Sequence, residues 1–226
     1  MGTLAHGTTA ESAYPVRVRV EPAIAHRNRL TTAFRLILAF PHLILVGGPA
    51  AVALWWGTSS DGGTDFGWSS GGGVLGVVAV ICAVIAWFAI IFARRHPHGL
   101  WNLAAFYLRW RVRAVAYATL LRDEYPPFGD GPYPATLSIS EATGDRDRLT
   151  VAFRIFLAIP HLIATWALGI AWGVATIVGW FSILFTGRYP DRLYRFATAV
   201  FQWNIRVEAY LLLLRDEYPP FSFHAV

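Results

Sequence analysis

The sequence predicts an all-α integral membrane protein, internally duplicated, with four transmembrane helices, two interfacial amphipathic helices and a small cytoplasmic β element. Three observations predict it. Of 226 residues, 55% are hydrophobic and only 15% charged, whereas charged residues make up roughly a quarter of a soluble domain. The run from Gly73 to Ala93, GVLGVVAVICAVIAWFAIIFA, carries no charge over the roughly 20 residues that a bilayer-spanning helix needs. Asp61 and Asp65 precede this run, and Arg94 and Arg95 follow it. Finally, almost every feature of the chain occurs twice.

The duplication is read from phrases at a fixed shift. YPVRVRVEP at Tyr14 matches YPATLSISE at Tyr133, and RLTTAFRLILAFPHLI from Arg29 matches RLTVAFRIFLAIPHLI from Arg148, both shifted by 119. Later matches, Pro97 with Pro190 and the two LLRDEYPPF copies at Leu120 and Leu213, are shifted by 93. The first half therefore holds 119 − 93 = 26 additional residues, around the Gly/Ser/Asp-rich stretch WWGTSSDGGTDFGWSSGGG, a loop by composition. We divide the chain into a mobile tail (1–13), which has no leader-like apolar run, a first repeat (14–132) and a second repeat (133–226).

Each repeat has the same expected elements. VRVRV at Val16 and TLSIS at Thr136 alternate as strands do; together, or with the extended Tyr-Pro-Pro-Phe segments, they are expected to form the small β element. Asn28 and Asp147 stand where helix N-caps belong, before the Arg-Leu-Thr segments. Two spans follow in each repeat. In the second repeat, Leu149–Phe185 must hold both spans and a turn in 37 residues, near the lower limit of roughly 17 residues per span. Helices over about 100–121 and 193–214 combine Arg, Trp and Tyr, and belong at the interface. RDEYPPF closes each unit, its prolines turning the chain away. With two spans per repeat, the arginines lie on one side of the membrane. The positive-inside rule makes that side cytoplasmic, with both termini there.

Two sets of residues are candidates for function. Arg35 and His42, with Arg154 and His161, form a candidate polar site within the membrane. The members of each pair are seven apart and so share a helix face, and the Pro-His step puts a polar ring beside a helix perturbation. The structural alternative is a neutral His that satisfies a carbonyl freed by Pro or bonds a neighbouring helix. Arg122, Asp123, Glu124 and Tyr125, with Arg215, Asp216, Glu217 and Tyr218, form a candidate cytoplasmic recognition motif. The alternative there is a helix terminator whose charges pair with nearby arginines. No catalytic residue, metal site or cofactor is predicted: Cys82 is the only cysteine, no His has a second ligand three or four residues away, and no phosphate loop, nucleophile elbow or HExxH is present. The net charge of +5 comes entirely from Arg over acid. With an apolar span present, it points to anionic headgroups and not to nucleic acid.

The phrases RLTxAFRxxLAxPHLI, FTGRYPDRLYRF (Phe185 to Phe196) and RDEYPPF together resemble a bacterial membrane-protein family known as domain of unknown function 4389. The first repeat departs from the pattern with FARRHPHGLWNL. The resemblance implies a multispan integral membrane protein of a bacterium, and the charge asymmetry puts it in the cytoplasmic membrane. It implies no activity and transfers no catalytic residue. The expected function is a non-catalytic module that binds anionic lipid or a membrane-protein partner. The alternative is a small transporter, scramblase or channel-like protein with a polar site between the repeats.

Overall fold

The two alternating segments meet across the repeats. In this computed structural model, which describes residues 14–49, 72–142 and 146–223, β1 (Val16–Val20) and β2 (Ala135–Ile139) pair antiparallel, with Val18 opposite Leu137. Val16, Val18, Ala135 and Leu137 point inward, while Arg17, Arg19, Thr136 and Ser138 are exposed. Val16 pairs with Ile139 and Val20 with Ala135. Under the shift of 119 these two pairs exchange, so an internal pseudo-two-fold axis passes between Val18 and Leu137. The N-terminal tail and the loop holding Asp61 and Asp65 lie outside the described residues.

Seven helices are found among the described residues: α1 (Arg29–Ala33), α2 (Arg35–Val46), α3 (Gly73–Ala93), α4 (His98–Ala118), α5 (Arg148–Ala152), α6 (Arg154–Thr186) and α7 (Asp191–Leu211). The expected caps are in place. Asn28 Oδ1 accepts from the amides of Leu30 and Thr31 at 3.0 and 3.2 Å, and Asp147 Oδ1 from that of Leu149 at 3.0 Å.

The expected turn within Leu149–Phe185 is absent. α6 runs unbroken for 33 residues, about 50 Å. Its hydroxyl residues, which could have served a turn, bond back within the helix: Thr165 to His161 O at 2.7 Å and Thr176 to Trp172 O at 2.9 Å. In the first repeat, Val46 and Gly73 correspond to the consecutive positions Thr165 and Trp166. α2 and α3 are therefore the two parts of one such helix, and the additional residues leave and rejoin it at one point. A Cβ on Gly73 would stand 2.5 Å from Ile44 O and 2.7 Å from Gly47 N, so only glycine lets α3 restart directly on the last turn of α2. Two helices, α3 and α6, are long and apolar enough to cross a membrane. Four such helices are not found among the described residues.

The helices expected at the interface are in the core. α4 buries Trp101, Ala105, Leu108, Val112 and Ala116 among α2, α3 and β2, and α7 packs on α6 and β1. Their alanines allow close approach, and their buried arginines are met by the segments that follow each helix, Arg113 by Asp130 at 2.9 Å and Arg206 by Ser222 O at 3.2 Å. The exposed apolar surface lies instead on α2, α3 and α6, through Ile37, Ile81, Phe92, Phe156, Ile177 and Phe185.

The repeats are interlocked at both ends. Trp87 Nε1 donates to Val151 O at 3.0 Å, and its equivalent Trp180 donates to Thr32 O at 2.9 Å. Arg146 N donates to Arg94 O and Arg27 N to Gly187 O, at 3.1 and 3.0 Å. Each long helix thus ends beside the start of the other, and the two run antiparallel. Trp87→Phe and Trp180→Phe should each destabilise by about 1–2 kcal/mol, a lost hydrogen bond plus some packing. The two losses should be similar and additive, because the sites share no partners; thermal unfolding in detergent checks this.

Candidate functional site

The two candidate sets form one assembly in each repeat. α4 ends with Leu120 in the left-handed region, at φ 65°, and α7 with Leu213 at 61°. There Leu121 N and Leu214 N donate to Ala116 O and Ala209 O at 2.9 and 3.1 Å, closing the helix as a left-handed C-terminal residue does. Both leucines are buried, which holds them in a backbone region that side chains disfavour. The turn carries the Arg-Asp-Glu segment back over the start of the long helix of the same repeat.

There Asp123 meets two buried guanidinium groups. Arg27 donates from Nε to Oδ2 and from Nη2 to Oδ1, both at 2.7 Å, and Arg35 Nη2 also pairs with Oδ1. Arg35 Nη1 donates to Arg122 O at 2.9 Å, and its guanidinium lies 4.3 Å from the centre of the Tyr117 ring. The second repeat reproduces this. Arg146 and Arg154 each reach Asp216 at 2.6 Å, Arg154 Nη1 donates to Arg215 O at 2.9 Å, and Arg154 covers Tyr210 at 4.4 Å. Burial acts to raise the Asp123 carboxyl, but Arg27 and then Arg35 outweigh it and hold the group below the usual carboxylate range.

The neighbouring charges also pair. Arg122 Nε donates to Glu124 Oε2, and Arg215 Nε to Glu217 Oε2, both at 2.9 Å. Burial raises the Glu124 and Glu217 carboxyls, and the paired arginines bring both below their ordinary value. Arg122 Nη1 and Arg215 Nη1 reach Glu21 O and Ser140 O at 2.6 and 2.7 Å, just beyond β1 and β2. Tyr14 and Tyr133 then cross to the opposite repeat, to Glu217 O at 3.2 Å and Glu124 O at 2.8 Å.

Each histidine sits in an aromatic box that the rest of the motif closes. Trp110 Nε1 donates to His42 Nδ1 at 3.0 Å, and Trp203 Nε1 to His161 Nδ1 at 3.2 Å. Phe128 stacks on His42 at 4.3 Å and Phe221 on His161 at 3.9 Å, with Tyr125 and Tyr218 tilted beside them. An Nδ1 that accepts leaves the ring neutral, with its proton on Nε2. Nε2 is enclosed without a regular hydrogen bond, near the Pro126 carbonyl for His42 and the Pro219 carbonyl for His161. The two rings are held in separate boxes, each built from its own repeat. Among the described residues, no three His, Cys, Asp or Glu side chains come together as metal ligands.

Sequence reasoning missed both Arg27, counted only as inner-face charge, and Arg146, which it did not single out at all. The shift of 119 that relates them, set against the 93 that relates Asp123 to Asp216, was the available signal. It also missed a polar cluster where the repeats differ. Arg111 bonds Val46 O and Gly48 O at 2.6 and 2.9 Å and Glu208 at 2.8 Å, and Tyr107 donates to Glu208 Oε1 at 2.9 Å. The corresponding positions hold Asn204, Val115 and Val200. The first repeat needs Arg111 because its long helix is cut here and the carbonyls at the cut need donors. A cavity of ≈ 160 Å³ adjoins this cluster, lined by Arg111, Glu208, Asn204, Thr165, Trp172 and Phe201 among others.

Asp123→Asn leaves Arg27 and Arg35 without their carboxylate and should cost about 3–5 kcal/mol, as should Asp216→Asn, measurable by thermal unfolding. The folded pKa of Asp123 is depressed, so its stabilisation is present above the unfolded value near 3.9. That stabilisation is lost as pH falls through the folded value. Wild-type unfolding temperature should drop on acidification below about pH 4, and the drop should be smaller in Asp123→Asn. Trp110→Phe, which removes the donor to His42 and some packing against Phe106 and Phe128, should cost about 1–3 kcal/mol in the same measurement.

No curated protein and no solved structure matches the chain. A family profile described as Domain of unknown function (DUF4389) matches residues 72–129 and 148–222, together more than half of the chain. The first matched segment begins where α3 restarts, and each contains one RDEYPPF. The resemblance carried by the repeated phrases is thus a membership: the chain belongs to the DUF4389 family.

Proposed function

We propose that the protein is a non-catalytic module of the bacterial cytoplasmic membrane that binds anionic lipid headgroups, and through its cytoplasmic face a membrane-protein partner. The observation that carries this reading is the distribution of charge around the exposed apolar helices. α3 ends at Arg94 and Arg95, both exposed, beside exposed Arg148 of the other repeat, whose Nη2 donates to Phe92 O at 3.1 Å. α6 ends at Arg188, beside exposed Arg29 of the other repeat, whose Nε lies 3.6 Å from where a Cβ on Gly187 would stand. Large apolar side chains flank these arginines, Leu30, Phe92, Leu149 and Phe185, each at least 70% exposed. Apolar groups beside Arg suit the boundary between acyl chains and phosphate.

Burial within the protein supports the same reading. The core helix of a soluble protein is mostly buried, whereas only 33% and 28% of the apolar windows of α3 and α6 are. Termini on one side of the membrane accord with Tyr14 bonding Glu217 near the other end of the chain. The transport alternative has the cavity between the repeats in its favour. Its expected residues, Arg35, His42, Arg154 and His161, are committed to contacts within their own repeats.

Native mass spectrometry of protein released from mixed phosphatidylcholine and phosphatidylglycerol nanodiscs tests the proposal. Phosphatidylglycerol should be retained preferentially, and Arg29→Gln with Arg148→Gln should reduce that preference at least about threefold, since each arginine near a surface contributes about 1 kcal/mol. Equal retention of both lipids by the wild type would reject the reading.

A further inference from the structure

We infer that the long apolar helices, α2–α3 and α6, lie in the plane of the membrane surface and do not cross the bilayer. The inference rests on the lipid-binding reading and adds how the molecule sits. It begins from the symmetry. The pseudo-two-fold axis passes between Val18 and Leu137, through the middle of the sheet. Two helices related by a two-fold axis are antiparallel only if they run across that axis, and the interlocked ends show that these two are antiparallel.

Layers follow one another along the axis. The sheet comes first. α4 and α7 come second: Gln202 on α7 donates to Val18 O at 3.0 Å, while Asn204 and Glu208 line the cavity from the opposite face of the same helix. The long helices come third, because Leu162, Thr165 and Trp172 of α6, with Pro49 after α2, line that cavity too. Their buried stripe, Ala158, His161, Thr165 and Trp172 in α6, faces the second layer. Ile163, Ile170, Val174 and Ile177 are on the outer side.

Suppose the long helices crossed the bilayer. The axis would then lie in the membrane plane, and the sheet would sit at the level of the hydrocarbon. Exposed Arg17 and Arg19 would lie there, with the outer edges of a sheet that has only two strands among the described residues. Hydrocarbon tolerates neither. With the axis along the membrane normal, the sheet and its arginines face water, and the apolar outer faces of α2, α3 and α6 all meet the acyl boundary. Length agrees. A helix of 33 residues is about 50 Å long against a hydrocarbon thickness of about 30 Å, and it carries arginines at both ends of the pair. A helix in the interface needs no match to that thickness, and its flanking arginines stay at the phosphates.

The test uses full-length protein bound to phosphatidylcholine–phosphatidylglycerol vesicles. Flotation first establishes binding; failure to float would overturn the lipid reading itself. On floated protein lacking Cys82 (Cys82→Ala), a membrane-impermeant maleimide is applied to Arg29→Cys and to Arg95→Cys, which mark opposite ends of α2–α3. Both should label to the same extent from the same side. Labelling from opposite sides would overturn the in-plane placement while leaving lipid binding intact. Polarised infrared dichroism of the wild type in oriented bilayers does not depend on the variants folding. The amide I band should report helix axes parallel to the bilayer, and axes along the normal would overturn the placement.

Discussion

The rest of the structure depends on a carboxylate held between two buried guanidinium groups, Asp123 between Arg27 and Arg35, and Asp216 between Arg146 and Arg154. Burying arginine in so apolar a chain is costly unless its charge is met and its donors are used. Here they are used on Leu120 O and Arg122 O as well as on the carboxylate. One contact therefore ties three parts of a repeat together: the lead-in to its first helix, the start of its long helix and the end of its core helix. Once the closing segment is anchored, Tyr125 and Phe128 are delivered onto His42, and Glu124 O to Tyr133.

The duplication governs the next level. Neither repeat completes itself. Each supplies one strand of the sheet, one tyrosine to the other's closing segment and one indole to the other's first helix. A fold built this way has its two halves fixed relative to each other at several distant points. Where the repeats differ, the difference traces to one event, the additional residues that cut the first long helix. Arg111, paired with Glu208, which also accepts from Tyr107, meets the carbonyls at that cut.

Much of this was legible in the chain. The repeats and their shifts, the helix caps at Asn28 and Asp147, the strands and the apolar run from Gly73 to Ala93 all depend on local pattern, and local pattern is what sequence displays. The placement of the basic aromatic helices was not legible. Arg109 and Arg113 beside Trp110 read as a headgroup-facing surface, because a sequence shows that a residue is charged but not whether its partner lies inside. Asp130 and Gly129, which take up Arg113, lie beyond the end of the helix, after the closing segment, and carry no mark of that role.

By itself, the sequence determined that two copies of one unit exist, where their first helices are capped, and that the chain holds an apolar run long enough to cross a membrane. Periodicity, caps and repeats need only neighbours along the chain. Tertiary structure alone decided that α6 continues past His161, that α4 and α7 are interior, and that the recognition phrase and the membrane-site residues are one assembly. Each of those depends on which distant group satisfies a buried charge or a freed carbonyl. Such a pairing is a property of positions in space, and the same residues with the same spacing allow several.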